Sequence, residues 1–171
     1  MDTVNKSIVS KVISLVYEVL IVFMMAMAAI FLYATYTPMG LFGIIASITS
    51  ICIGSILLLI LLSLYKTQYI LTNNELVIRT TRLIGGGKRI PLKIIESVKQ
   101  TVIPFGIRLF GASFHGGHYH IPGLGRAFMC ITNFSDGLLI RTAFGDYVIT
   151  PRNPANFKKL LQDSMNRSKS S

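Results

Sequence analysis

The chain has 171 residues, a net charge of +10 and two cysteines, Cys52 and Cys130. This length leaves room for one ordinary folded domain beside an apolar segment, and it excludes a protein with several separate cores. Two cysteines that lie far apart in the sequence exclude a disulfide framework.

The charged residues are distributed unevenly. The segment Val12–Tyr65 contains one charged side chain, Glu18, whereas the chain after Tyr65 contains 15 Lys or Arg and 5 Asp or Glu. The basic residues are spread singly and form no dense run, which disfavours nucleic acid as a partner. They favour anionic lipid headgroups, because each Lys or Arg near a charged bilayer surface gains about 1 kcal/mol.

The apolar segment 12–65 is long enough to cross a lipid bilayer twice, since one helical pass takes about 20 apolar residues. Pro38 and Gly40 interrupt the segment, and both residues disfavour a continuous helix. We therefore predict a transmembrane hairpin with helices at about 12–35 and 41–64.

Two passes place the N-terminal segment 1–11 and the remainder of the chain on one side of the membrane. Lys6, Lys11 and Lys66 flank the helices on that side, and the turn between the helices carries no charge. The positive-inside rule therefore predicts a multi-pass protein of the cell membrane, with the N-terminus and the C-terminal domain in the cytoplasm.

Two features inside the predicted helices concern helix packing. Ala46, Ser50 and Gly54 recur at a spacing of four residues, and small residues let two helices approach closely. This face either packs within the hairpin or docks another membrane protein. Glu18 lies inside the first helix, where a carboxylate is costly. It either sits shallow, near Lys11, or contacts a partner subunit.

The chain from 66 to 165 consists of short apolar stretches separated by turn residues, which is typical of β-strands. We predict about seven strands that form a small β-barrel or sandwich. A C-terminal amphipathic helix should cap it, with Asn153 as N-cap and Pro154 at the first helical position. The polar tail 166–171 is predicted to be disordered. The fold class is therefore α+β, a two-helix hairpin followed by a helix-capped β domain.

Four stretches of the domain are distinctive: Tyr69–Asn73 with Leu76–Ile78, Arg89–Leu92, His120–Arg126 with Thr132-Asn133, and Tyr147–Pro151 with Asn153-Pro154. Together with the single C-terminal helix they resemble a pleckstrin-homology (PH) domain, most closely the prokaryotic PH-like families. The resemblance covers roughly residues 67–163. It implies a PH-like fold and a module that is usually not an enzyme. Two transmembrane helices ahead of the domain are also common among these families.

Arg79, Arg82, Lys88 and Arg89 bracket the second turn of the domain. We predict that they form a surface for the membrane or a partner; the alternative is a solvated basic rim. Eukaryotic PH domains often bind phosphoinositides through basic residues around the first hairpin. Here the first turn, Asn73-Asn74-Glu75, has no positive charge, so that motif is absent.

His115, His118 and His120 are the weak candidates for metal ligands, because three imidazoles can hold zinc or copper. His118 and His120 would share one face of a strand, and the glycines between could let His115 approach. No acidic or thiol side chain lies within this run, so the alternative is a glycine-rich loop beside a histidine-bearing strand. We expect no cofactor.

The domain lacks a recognisable catalytic motif, because its five Asp and Glu residues lie singly and Cys130 falls within an apolar strand. We therefore predict a non-enzymatic accessory or scaffold subunit at the cytoplasmic face of a membrane complex. The short link between Tyr65 and Gln68 supports a role at the membrane surface. A sensor of anionic lipid surfaces and, third, a metal-binding module are the alternatives.

Overall fold

The computed structural model describes residues 3–36, 40–84, 86–103, 106–113 and 115–170. The chain divides into two compact units. The first unit combines Met1–Ser10 with Ser63–Ser171, and the second is Lys11–Leu62. The chain therefore leaves the first unit after Ser10 and returns to it at Ser63.

Two long helices dominate the second unit. Helix α1 spans Lys11–Ala34 and helix α2 spans Gly40–Tyr65, so each bound differs from its predicted position by one residue. Their most apolar stretches have mean hydropathies of 2.5 and 2.6. Among the described residues, these two helices are long and apolar enough to cross a membrane. Most of the predicted turn between them, Thr37–Met39, lies outside the described residues.

Small residues let α1 and α2 approach closely. Gly43, Ser47 and Gly54 are buried on one face of α2. Ser47 Oγ donates a hydrogen bond to the Ala28 carbonyl of α1 over 3.1 Å. A Cβ atom at Gly43 would lie 2.7 Å from the Phe31 carbonyl oxygen, closer than real Cβ contacts allow. The hairpin therefore depends on backbone-to-backbone approach at Gly43.

The first unit contains a four-stranded antiparallel sheet. Its strands, in spatial order, are β1 (Thr3–Lys6), β2 (Gln68–Leu71), β3 (Glu75–Arg79) and β4 (Lys88–Pro91). Thr72 builds the turn after β2, since its Oγ1 accepts a hydrogen bond from the Glu75 amide over 3.1 Å. Strand β1 was not predicted. It precedes α1 in the chain, yet it pairs with β2, which follows α2, and places Val4 opposite Ile70.

A second sheet has six strands. In spatial order they are β5 (Ile95–Thr101), β9 (Gly137–Thr142), β10 (Gly145–Ile149), β8 (Gly125–Cys130), β7 (Gly116–Ile121) and β6 (Ile107–Ser113). Neighbouring strands are antiparallel except for β8 and β10, which run parallel. The described residues thus form ten strands rather than about seven, and one of the ten, β1, comes from the segment before α1.

The two sheets pack face to face around a buried core. Tyr69 of β2 is fully buried, and its hydroxyl donates a hydrogen bond to the Cys130 carbonyl of β8 over 3.1 Å. Its ring also packs against Phe157, with centroids 6.3 Å apart. Two long helices, two packed sheets and a C-terminal helix confirm the predicted α+β, PH-like fold.

Helix α3 (Pro154–Ser170) begins as predicted. Asn153 Oδ1 accepts a hydrogen bond from the Asn156 amide over 3.1 Å, which caps the helix before Pro154. The predicted disordered tail differs from the structure, in which α3 continues through Asn166 to Ser170. Arg167 and Lys169 lie in the last turn, where basic side chains favour a helix because they complement its dipole.

Candidate functional site

A cavity of about 230 Å³ opens where β4 of the first sheet approaches β7, β8 and β10 of the second. We call it the basic pocket and define it by Lys88, His118, Arg126, Phe128, Phe144 and Tyr147. All six residues belong to the first unit.

The strand register places three rings of the pocket in one row. His118 of β7 lies opposite Phe128 of β8, and Phe128 lies opposite Tyr147 of β10. The Phe128 ring centroid is 5.5 Å from that of His118 and 6.1 Å from that of Tyr147. Lys88, the first residue of β4, places its Nζ atom 5.4 Å from the Phe128 centroid, a cation–π contact. The buried Phe128 ring therefore fixes the spacing of three other side chains.

Positive charge predominates in the basic pocket. Burial lowers the pKa of His118, and the charges of Lys88 and Arg126 lower it further. Exposed charges are screened over about 8–10 Å at physiological salt, so charges that shift this pKa lie close to the imidazole. The three basic groups therefore converge on one cavity, although they come from strands of two different sheets.

Asp146 also borders the cavity, but its carboxylate belongs to the other face of the sheet. Side chains alternate along a strand, so Asp146 and its neighbour Tyr147 lie on opposite faces. Asp146 Oδ2 is 3.9 Å from Arg141 Nε, and these residues are cross-strand partners. Burial raises the pKa of Asp146, the Arg141 charge lowers it, and Glu96 raises it. The negative charge of Asp146 is thus paired with Arg141 and does not neutralise the pocket.

This arrangement is suited to an anion. Lysine and arginine donate charge-assisted hydrogen bonds to carboxylate or phosphate oxygens, and a protonated imidazole donates as well. Lys88 and His118 are half-buried, which reduces the screening of their charges by solvent. The side chain of Phe144 is 83% exposed in the β9–β10 turn and presents an apolar ring beside these charges.

The structure brings one of the four predicted basic residues, Lys88, into this pocket. Arg79 and Arg89 are exposed on the outer face of the first sheet, and Arg82 is exposed in a short 3-10 turn between β3 and β4. Arg89 Nη1 lies 3.7 Å from Glu75 Oε1. Such an exposed ion pair contributes about 0–1 kcal/mol. Arg79, Lys88 and Arg89 also line one shallow groove of the first sheet, and the predicted role of the four residues as a surface for the membrane or a partner stays a prediction.

The three candidate metal ligands are separated. His115 is buried, its ring centroid lies 6.0 Å from that of Phe134, and burial lowers its pKa. His118 lies in the basic pocket, and His120 is exposed further along β7. In the part of the chain that the structure describes, no three His, Cys, Asp or Glu side chains are placed to hold a metal ion. The metal hypothesis therefore receives no support from these residues.

The three small residues singled out in α2 have different environments. Ser50 and Gly54 are buried, whereas Ala46 is half-buried. A Cβ atom at Gly54 would lie 3.5 Å from Met24 Cβ, an ordinary contact distance. Gly54 therefore faces α1 within the hairpin, and the docking of another membrane protein on this helix stays a prediction.

Glu18 is exposed on α1. Ser14 Oγ, one helical turn earlier, donates a hydrogen bond to Glu18 Oε1 over 2.6 Å. A hydroxyl donor within the same helix lowers the cost of placing a carboxylate among apolar side chains. The two roles predicted for Glu18, a shallow neighbour of Lys11 or a contact with a partner subunit, stay predictions.

Arg126, Phe128, Phe144 and Tyr147 were missed as site residues. The sequence carries one usable signal, since Arg126 and Phe128 are two residues apart and so share a strand face. The pairing of β8 with β10, which brings Tyr147 beside Phe128, joins residues 19 positions apart and leaves no local pattern.

One comparison with known proteins, that with protein families, agrees with this fold. The sequence model of the bacterial PH domain family matches residues 67–165, which is 99 of the 171 residues. The match begins just before β2 and ends within α3, so it covers both sheets except β1. No curated protein and no solved structure matches the chain. The resemblance seen in the sequence is confirmed, and the chain belongs to the bacterial PH domain family.

Proposed function

We propose that this protein is a two-pass membrane protein whose PH domain acts at the cytoplasmic membrane surface as a non-enzymatic interaction module. The pairing of β1 with β2 carries the proposal. These strands precede and follow the two apolar helices, and Val4 lies opposite Ile70 in their register. Strands that share backbone hydrogen bonds must lie on one side of a bilayer, which requires an even number of passes between them.

The surfaces of α1 and α2 support insertion into a membrane. In their most apolar stretches only 6% and 22% of the residues are buried, whereas the core helix of a soluble protein would be mostly buried. Val22 is 69% exposed and Leu41 is 74% exposed. Apolar surface in water costs about 25 cal/mol per Å², and a bilayer removes this cost along both helices.

The flanking charges support the cytoplasmic side. Lys6 and Lys11 precede or begin α1, and Lys66 follows α2 directly. Basic residues within a few positions of transmembrane helix ends are retained on the cytoplasmic side. Since β1 and β2 lie in one sheet, the three lysines lie on the same side of the membrane and favour the same orientation of the two helices.

PH domains bind lipids or proteins and are generally not catalytic, and the chemistry of this domain supports the same role. Cys130 is fully buried, and burial raises its pKa to about 12, so its thiol is neither accessible nor ionised at neutral pH. Glu75 and Asp146 lie beside Arg89 and Arg141, respectively. These acids serve as ion-pair partners in the structure.

Two partners are consistent with such a module. The basic pocket favours anionic lipid headgroups, as a sensor of the membrane surface would require. The aromatic side chains of Phe134 and Phe144 are 54% and 83% exposed and favour a protein partner, since aromatic residues are enriched at interfaces. The second candidate is therefore an accessory or scaffold subunit of a membrane complex.

Cysteine labelling in intact and permeabilised cells tests the topology. Single cysteines are introduced at Val4, Thr37 and Asp163 in a protein carrying C52A and C130A. We expect a membrane-impermeant maleimide to label V4C and D163C only after permeabilisation, because both lie on the cytoplasmic side. T37C, in the segment that the sequence predicts to be the turn between the helices, is the control and should be labelled in intact cells. Labelling of V4C or D163C in intact cells would contradict the proposal.

Gentle detergent extraction tests the second candidate. We expect an accessory subunit to co-migrate on sizing with a membrane protein in fixed stoichiometry, and E18Q to weaken that association if the exposed face of α1 mediates it. Migration of the protein alone would contradict the accessory role and leave the lipid-directed role.

A further inference from the structure

We propose that the basic pocket binds a phosphate group, carried either by a lipid headgroup or by a small soluble molecule. The lipid source rests on the proposed position of the domain at the membrane surface; the soluble source does not. Many eukaryotic PH domains bind phosphoinositides at the first hairpin. The basic pocket lies elsewhere, and the first turn of this domain, at Asn73 and Asn74, has no positive charge.

Positively charged side chains predominate in the pocket. Lys88 on β4, His118 on β7 and Arg126 on β8 line one cavity, and His120 lies opposite Arg126 in the strand register. Asp146 on β10 is held at Arg141, 3.9 Å away on the other face of the sheet. Positive charges that lie close together repel one another, and an anion bound between them offsets this repulsion. The net charge of the pocket therefore selects for anions.

The size of the pocket suits a small anion. Sites for drug-sized ligands have volumes of roughly 300–1,000 Å³. The pocket, at about 230 Å³, is smaller and suits a phosphate with one short substituent. Phe128 holds Lys88 Nζ at 5.4 Å from its ring centroid, so the ammonium is positioned before a ligand arrives. A pre-positioned donor loses less conformational freedom on binding.

The protonation state of His118 should respond to an anion in the pocket. Burial and the charges of Lys88 and Arg126 lower its pKa, so the free imidazole is mostly neutral at pH 7. A bound anion would raise this pKa, because an opposite charge stabilises the imidazolium. Binding and protonation are then linked, and the affinity for an anion of constant charge should increase as the pH falls from 8 to about 5.5.

The test uses the full chain in nanodiscs of zwitterionic phosphatidylcholine and measures binding by calorimetry. The probes are inorganic phosphate and glycerophosphoglycerol, a phosphodiester whose charge is constant over this pH range. We expect both probes to bind to the wild type. K88M and R126Q should weaken binding by about tenfold or more, since each removes a charge-assisted hydrogen bond.

Matched controls separate the pocket from general charge. K93M and R152Q remove the same charges from exposed positions that do not line the pocket and should leave binding within about twofold, because solvent screens exposed charges. H118Q should keep the neutral-pH affinity for the phosphodiester and lose its increase at low pH. The absence of binding by the wild type, or equal losses in K88M and K93M, would overturn the proposal. A thermal melt of each variant confirms that it is folded.

A second set of nanodiscs, which contains phosphatidylglycerol, identifies the source of the phosphate. If phosphatidylglycerol competes for the pocket, the wild type should bind free phosphate more weakly in these discs than in phosphatidylcholine discs, and K88M should show no such difference. This result supports a lipid headgroup as the ligand. An unchanged affinity supports a soluble phosphate compound. If the wild type passes the cysteine-labelling test but binds no phosphate, this proposal alone is overturned. If the wild type binds phosphate but fails the cysteine-labelling test, only the proposed membrane topology is overturned.

Discussion

Tyr69 Oη donates a hydrogen bond to the Cys130 carbonyl over 3.1 Å, and this bond joins β2 of one sheet to β8 of the other. The same hydroxyl accepts a hydrogen bond from the Thr150 amide over 3.2 Å. Tyr69 is fully buried, so no solvent competes for these groups. One side chain therefore connects the sheet that contains β1 with the sheet that contributes most of the basic pocket.

The substitution Tyr69→Phe removes this hydroxyl and leaves a buried carbonyl and a buried amide without their partner. Each unsatisfied group costs about 1–3 kcal/mol, so we expect a clear fall in the thermal midpoint of the full chain in detergent, measured by circular dichroism. Tyr36→Phe is the control, because Tyr36 is 88% exposed. Equal midpoints for both variants would show that the Tyr69 hydroxyl does not connect the sheets.

Two glycines of α2 should respond differently to alanine. At Gly43 a Cβ atom would lie 2.7 Å from the Phe31 carbonyl oxygen, whereas at Gly54 the nearest atom, Met24 Cβ, would be 3.5 Å away. Gly43→Ala forces the helices apart and should destabilise the hairpin by about 1–3 kcal/mol, as overpacking does. Gly54→Ala should be tolerated. Unfolding in increasing concentrations of a denaturing detergent measures the stability of both variants. Equal destabilisation by the two substitutions would contradict the helix packing.

Cys130 should make the protein less stable in alkali. Burial raises the pKa of this thiol from 9.0 to about 12. Between these values the unfolded chain has lost the proton that the folded chain retains, so stability falls as the pH rises above about 9. Cys130→Ala removes this contribution to the loss of stability in alkali. Burial also raises the pKa of Tyr69, so the contribution of Tyr69 remains in the variant. We expect the midpoint to fall less between pH 8 and 11 in the variant, and equal falls would contradict the buried thiol.

Much of the fold could be predicted from local patterns. The ends of α1 and α2 follow from the apolar segment and its break at Pro38, and the start of α3 follows from Asn153 and Pro154. Strand β1 could not be predicted, because it is four residues long and its partner lies more than 60 residues away. Its pairing depends on the hairpin that returns the chain to the sheet.

The basic pocket shows the same limit. Lys88 and His118 were both singled out, but for separate roles, since one belonged to a basic group and the other to a histidine cluster. The contact of both residues with Phe128 depends on the packing of one sheet on the other. Local alternation predicts which residues share a strand face, but it does not predict which strands of different sheets meet.

In this protein one sheet is formed by residues from before and after the two apolar helices. Cysteines at Val4 and Ile70, with C52A and C130A, test it in native membranes. Opposed strand residues have Cα atoms about 4.5–5.5 Å apart, within disulfide range. Val77 lies opposite Ile70 on the far side of β2, about 9–10 Å from Val4, so V4C with V77C is the control.

After mild oxidation and trypsin, mass spectrometry should detect the N-terminal peptide ending at Lys6 linked to the peptide 67–79 in V4C/I70C, and not in V4C/V77C. This result would establish that the N-terminus and the PH domain share a sheet and one side of the membrane. The absence of the linked peptide in V4C/I70C, or equal yields in both variants, would contradict the account.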